Sequence, residues 1–411
     1  MFPLLEVGTG ILSLFPVFVL DPFHATVFLL ITAMVWVQYR RIEVTERALY
    51  GAPKNRAFRQ ALASVGEGVA AGYLGSLLAV VVGVTLGGSG VGYLLPVALV
   101  LMAINPRLLC YSYAGALVSL AHLLTGVPSV DVPGVMALVA VLHGVESLLI
   151  TFGGTRASTP VHLRHGTGHV VGGFGLQRFW PVPLVLLAVE AAGPVEGALQ
   201  MPAWWPLIQA SPPTGADVYG LLPVVAVLGY ADLAATTAPA RKARFTAGLL
   251  ALYSASLLAL AVLASREPAL RWAAVAFAAL GHEAVVAVGS RRELWGRPLY
   301  RWEGAGAVVL DVLPGSPAAQ VGIRAGDLVL APGGHPPPDR GWVEAALSEG
   351  TATVLRGGRP VRLRGSLKSA GGPSGLIMAP RGGDEPNVVM RGSGPLARAA
   401  SRLGRSLWSR R

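Results

Sequence analysis

His282 and Glu283, in "GHEAVVAVGS" (281–290), are the adjacent pair with which a helical zinc-hydrolase motif begins. In H-E-x-x-H the two histidines lie four residues apart, so both face one metal while the Glu serves as base. Here the position four after His282 is Val286, and the remaining candidates, His122, His143 and Glu146, fall on other apolar stretches. No helix carries the paired ligands, so the pair is read as lying near a membrane boundary, snorkelling or bonding a neighbouring helix. A second cluster, His162, Arg164, His165 and His169, has metal-like spacings of three and four. Gly166 and Gly168 argue against the helix such spacings need, and a basic loop meeting lipid headgroups or a partner is the favoured reading.

Glu67, His122, His143, Glu146, Glu190 and Asp232 sit inside apolar runs. A charge at membrane depth costs at least about 2.5–3.5 kcal/mol, so each needs a partner, a proton or water. His143 and Glu146, three apart, share a helix face and could share a proton. A transport pathway is one reading. Structural pairing between helices is favoured over it, because no internal repeat or pair of broken helices is visible.

Those residues must be positioned by membrane-spanning elements. The chain of 411 residues is 53% hydrophobic and only 13% charged, against about 25% charged in soluble proteins, and its mean hydropathy is +0.56. Spans are expected near 22–39, 63–86, 91–105, 108–126, 134–152, 180–199, 217–235, 245–264 and 269–288, giving eight to ten helices in all. The third and fourth would form a tight hairpin at Asn105-Pro106-Arg107, and residues 3–20 would either span or lie in the interface. No basic segment or cleavage site marks the first 20 residues as a cleaved signal. With the loop after 22–39 inside, the inside loops carry thirteen Lys and Arg: 40, 41, 47, 54, 56, 59, 107, 156, 164, 178, 241, 242 and 244. The outside loops carry two, Arg266 and Arg271. This asymmetry predicts a cytoplasmic C-terminus, with Trp180, Trp204 and Trp205 as interfacial anchors. The single cysteine, Cys110, excludes a disulfide framework and any multi-cysteine metal site.

Beyond Arg291 the composition becomes that of a small soluble domain, and residues 291–411 carry 18 of the 33 Lys and Arg against 9 of the 22 Asp and Glu. "GAVVLDVLP" reads as a strand, and "GSPAAQVGI" as a short helix capped by Ser316 with Pro317 at its first position. "RAGDLVLAPGG" reads as a turn at Gly326-Asp327 and a strand, and "DRGWVEAAL" as a helix capped by Asp339. "TATVLRGGRPVRLRG" is a hairpin turned at Gly357-Gly358, and "SGLIMAP" a closing strand. In the tail, Leu396, Ala399, Ala400, Leu403 and Leu407 share one helical face beside Arg398, Arg402 and Arg405. That pattern fits a basic amphipathic helix on an anionic membrane and equally a disordered basic tail.

"GAVVLDVLPGSPAAQVGIRAGDLVLAPGG" resembles a bacterial PDZ domain, through Gly315, Ser316, Pro317, Gly322, Ile323, Gly326 and Asp327. Such domains bind an extended peptide as an added strand. The resemblance implies a groove between Ala307, Val308, Val309 and Leu310 on the strand and Trp342, Val343, Ala346 and Leu347 on the helix. The usual carboxylate-binding loop before the strand is replaced by "RWEGAGAVV", so a C-terminus and an internal segment both stand as ligands. With "VLHGVESLLITFGG", "GHVVGGFGLQRFWPVPLVLL" and "GHEAVVAVGSRRELWGRPLY" before it, the chain resembles the MinJ-type proteins of Gram-positive bacteria. Site-2 proteases, by contrast, put the zinc motif in an early span.

The expected fold is therefore a polytopic α-helical membrane domain (1–290), a small α+β PDZ domain (291–380) and a basic tail (381–411). The MinJ resemblance implies a division-site scaffold in the cell membrane, enriched at septa and poles. Its partners would be membrane lipids and DivIVA-like and MinD-like proteins, with no nucleic acid. No catalytic residue, metal or cofactor is assigned; the alternatives are an intramembrane zinc protease and a transporter with a regulatory PDZ domain.

Overall fold

The computed structural model describes residues 2–85, 91–105, 108, 110–190, 199–208, 218–302, 306–331, 337–367, 373–381 and 383–387. The expected tail helix and Arg107 lie outside these residues, as does the side chain of Glu190.

Five helices are long and apolar enough to cross a membrane: α3 (Pro22–Tyr50), α4 (Ala57–Val82), α7 (Val132–Gly153), α8 (Pro239–Arg266) and α9 (Leu270–Trp295). Their ends follow capping rules. Asp21 accepts from His24 N at 3.0 Å with Pro22 opening α3, and Gly51 closes it at φ 76. α7 is buried on nearly every side and packs most extensively against α8. Helix α9 runs to Trp295, beyond the expected domain boundary at 290.

Residues 3–20 form two short helices, α1 (Leu4–Leu14) and α2 (Val17–Leu20), whose Val7, Ile11 and Phe18 pack on Val80, Val185 and Leu187. The expected third and fourth spans are α5 (Leu94–Ile104) and α6 (Tyr111–Thr125). At 1.5 Å per residue these reach about 16 and 22 Å, short of a hydrocarbon core of about 30 Å. They form a hairpin that enters from the end holding Gly126 and turns back inside the bundle.

The largest departure concerns the expected spans at 180–199 and 217–235, whose described residues form strands up to Glu190 and from Val218 to Ala234. β1 (Ser158–Arg164), β2 (Val170–Glu190) and β3 (Val218–Ala234) make an antiparallel sheet in that order, with Val185 opposite Pro223. Pro181, Pro183 and Pro223 explain why. Two prolines two residues apart would remove helical hydrogen bonds and clash with the preceding turn. In a strand, all three place their missing N–H away from the partner strand.

A strand edge at membrane depth needs every backbone group satisfied or enclosed by protein. Along the edge of β2 that faces α3 and α4, Phe179 N donates to the Tyr39 hydroxyl at 3.2 Å and Val185 N to Ser76 Oγ at 2.8 Å. Between them Pro181 and Pro183 have no donor to satisfy. Their carbonyls face the Gly68 and Gly72 backbone so closely that a Cβ there would sit 2.0 and 1.9 Å from the oxygens. The glycine stripe of α4 thus seals the sheet edge.

The C-terminal part has the expected element order: β4 (Ala307–Val312), α10 (Pro317–Val321), β5 (Leu328–Val329), α11 (Arg340–Ser348), β6 (Gly350–Arg356), β7 (Arg359–Gly365) and β8 (Leu376–Met378). Its sheet order is β7-β6-β5-β4-β8. The core holds Ala307, Val309, Ile323, Val343, Leu347 and Val354. This part docks on the basic end of the helices: Lys54 pairs with Asp311 at 2.6 Å, and Gly172 N donates to Tyr300 O at 2.7 Å.

Candidate functional site

Two places carry chemistry. The first is the C-terminal sheet. Ser316 caps α10 by accepting from Ala319 N at 3.3 Å, Pro317 occupies the first turn, and Gly322 ends the helix at φ 89. Gly315 and Gly326 also take positive φ, at 74 and 86, which a side chain would strain. Ile323 is buried, and so is Asp327, which accepts from Arg324 N at 2.9 Å and pairs with Arg356 at 2.7 Å. The carboxylate bond holds the Arg356 guanidinium above its ordinary pKa. These seven residues build the turn from β4 through α10 to β5.

The expected groove residues are placed less simply. Ala307, Val309 and Leu310 are buried and Val308 half-buried, on a strand whose two edges are both paired, to β5 and to β8. An interior strand cannot accept a peptide, so the groove assigned to β4 is corrected. The added strand would have to join β8, the edge strand beside α11. Leu376 and Met378 turn their backbone groups outward there. Arg340 Nη2 of α11 donates to Leu376 O at 3.1 Å, and His162 Nε2 of β1 bonds Met378 O at 3.1 Å. On α11, Val343 and Leu347 face the core, while Trp342 and Ala346 are half-buried.

The second place lies among the helices. Cys110, the N-cap of α6, brings Sγ to 3.2 Å from His143 Nε2 on α7 and 3.6 Å from His282 Nε2 on α9. His143 Nδ1 bonds Val139 O at 2.7 Å, and His282 Nδ1 bonds the Tyr113 hydroxyl at 3.3 Å. Tyr113 in turn donates to Glu283 Oε2 at 2.7 Å. Below them Ser112 Oγ lies 3.1 Å from His143 Nε2 and 2.7 Å from the Tyr253 hydroxyl of α8. So His282 and Glu283 do act together, through Tyr113 rather than through a second histidine on their own helix. Sequence reasoning missed Cys110 as their partner; it lies 33 residues from His143 and 172 from His282, and no local spacing signals it.

Of the other ionisable groups at depth, Glu67, Asp232 and His122 have structural partners. Glu67 accepts from Arg178 and from Trp180 Nε1 at 2.7 Å, and Asp232 pairs with Lys242 at 2.9 Å. Arg178 and Lys242, counted above as inside-loop charges, are buried members of these pairs. Trp180 is fully buried and is not an interfacial anchor, whereas Trp204 is exposed. His122 Nδ1 bonds Pro128 O at 3.0 Å. The histidines of the β1–β2 turn do not converge: His162 reaches Met378, and His165 Nδ1 meets Thr167 at 3.0 Å. Among the described residues, Cys110, His143 and His282 are the one group of three whose ligand atoms all lie within 4.8 Å.

No family model, curated protein or solved structure matches the chain. Its helices and sheets are those of a multi-pass membrane protein with an attached α+β domain.

Proposed function

We propose that this protein is a membrane-anchored adaptor. Its C-terminal PDZ-like domain takes an extended segment of a protein partner at the cytoplasmic face and performs no reaction. The observation that carries the reading is β8: an edge strand beside α11 whose outward carbonyls are held by two side chains, Arg340 and His162, instead of by another strand. Side chains on a sheet edge protect it from chance pairing. A partner strand that replaces them gains main-chain bonds, and Trp342 and Ala346 give it side-chain contacts. His162 belongs to β1, so partner binding is coupled to loosening of the domain from the membrane part. The spans keep the groove at the bilayer and raise the local concentration of membrane-associated partners.

Division-site placement, with DivIVA-like and MinD-like partners, is the cellular role in this proposal, and it rests on the sequence resemblance. A peptide array probed with the full-length protein in nanodiscs tests the groove. Bound segments should be lost on Ala346→Glu and strengthened by His162→Ala; binding indifferent to both changes contradicts it. A C-terminal fluorescent fusion tests the role: septal and polar signal that disappears without DivIVA supports it, and uniform signal removes division from the proposal.

A further inference from the structure

We propose that Cys110, His143 and His282 form a binding site for a thiophilic divalent transition-metal ion of the zinc type, at mid-depth in the helical bundle. Depth follows from position. His143 is the twelfth of the 22 residues of α7, and His282 the thirteenth of the 26 of α9. Cys110 starts the half-length α6 at the same level. A helix that begins inside the bundle brings its N-terminal backbone donors to a point where a sequence pattern would expect only side chains.

The hydrogen bonds fix the chemistry of each ligand. A neutral imidazole has one N–H and one lone pair, and the partner of one nitrogen decides the role of the other. Val139 O can only accept, so His143 keeps its proton on Nδ1 and its lone pair on Nε2. Tyr113 gives its own proton to the Glu283 carboxylate, so it accepts from His282 Nδ1, and again Nε2 bears the lone pair. One imidazole anchored by a carbonyl and one anchored by a hydroxyl that itself bonds a carboxylate provide the outer support that metal ligands usually have. The sulfur faces a helix N-terminus, where Ser112 N points at Sγ from 3.4 Å.

Without an ion the set is short of protons. Two lone pairs converge on one sulfur, which can offer one proton at most, and the Ser112 hydroxyl beside His143 Nε2 gives its proton to Tyr253, whose own goes to Ala278 O at 2.8 Å. A divalent cation satisfies all three atoms together, and one thiolate with two imidazoles leaves one position of a tetrahedral set to a further ligand. A thiolate ligand cancels one of the two charges of the ion, which lowers the cost of holding it in an apolar interior. The ion would tie α6, α7 and α9 together, so the half-length hairpin is held by coordination as well as by packing.

The test uses full-length protein purified in detergent on a resin that carries no metal. Elemental analysis should find about one zinc per chain, and Cys110→Ser and His282→Ala should lower it to background. Tyr113→Phe should weaken zinc by about 10–100-fold, as loss of an outer partner does. Exchange into Co2+ should give a near-ultraviolet sulfur-to-cobalt band that Cys110→His abolishes while cobalt stays bound. Because Cys110 is the one cysteine, a thiol reagent reads the site in the unaltered protein: labelling should be slow, and fast after a chelator. Protein without zinc that binds no added Zn2+ or Co2+, with labelling indifferent to chelator, overturns the proposal and leaves a thiol–imidazole hydrogen-bond cluster.

Discussion

Gly72→Ala compared with Gly66→Ala separates the observed architecture from the all-helical one, using the same substitution on the same helix. At Gly72 the new Cβ would meet Pro183 O at 1.9 Å and Pro183 C at 3.0 Å, where contacts under 3.0 Å essentially never occur. Helix α4 must therefore retreat from β2 by more than about 1 Å, since strand backbone cannot yield as a side chain does. Overpacking of this kind costs about 1–3 kcal/mol. The retreat also pulls Ser76, one turn on, from Val185 N, now 2.8 Å away. A stranded buried N–H adds about 1–3 kcal/mol, for a total of about 2–6 kcal/mol. Gly66 is exposed and has nothing within 4 Å of its Cβ, so Ala there gains helix propensity of up to about 1 kcal/mol. Thermal unfolding in detergent should show Gly72→Ala well below the unaltered protein and Gly66→Ala equal to it or above. Equal tolerance of both would refute the packing of α4 on strand carbonyls, and with it the assignment of 170–190 as a strand.

Three further outcomes are expected. Lys242→Met should destabilise the membrane part by up to about 3 kcal/mol, since half-buried Asp232 loses its counter-charge but keeps the Thr246 hydroxyl, while the double change with Asp232→Asn should recover most of it, as unfolding in detergent will show. Asp327→Asn should lower the unfolding temperature of the C-terminal domain selectively, since charged hydrogen bonds to Arg356 are worth about 1.5–3 kcal/mol and Asn keeps only part of them. Docking of β8 on β1 should weaken on acidification. Burial depresses the His162 pKa, the strongest of its influences. The docked state then binds fewer protons than the free one, and stability falls as pH drops below about 6.5 toward the depressed value. Reduced protection of residues 376–379 at low pH, read after dividing by the intrinsic exchange rates that acid itself slows, and absent in His162→Gln, checks this.

The C-terminal domain was legible because its pattern is made of local demands. Gly322, Gly326, Gly357 and Gly358 adopt positive φ, and Ser316 and Asp339 cap helices, so each residue type reports its own backbone. The position of the free sheet edge was not local. Whether β4 or β8 is the edge depends on strand order, which distant pairings decide. Apolar length identified α3, α4, α7, α8 and α9, but it cannot distinguish a buried strand from a span. Pro181 and Pro183, two apart among Val residues, were the available signal against a helix at 180–199. His282 and Glu283 were noticed for a motif they do not complete. Their true neighbour, Cys110, is brought in by a hairpin that stops halfway, a feature visible only as two unusually short helices.

Residue-resolved hydrogen exchange on the full-length protein, with and without a peptide selected on the array, tests the adaptor reading most directly. The N–H groups of Leu376 and Met378 face away from β4, so an added strand should slow exchange at these two amides while Ile377, already directed to β4, changes little. Exchange at Leu376 and Met378 that is unchanged by saturating peptide would contradict strand addition at β8 and the adaptor function built on it.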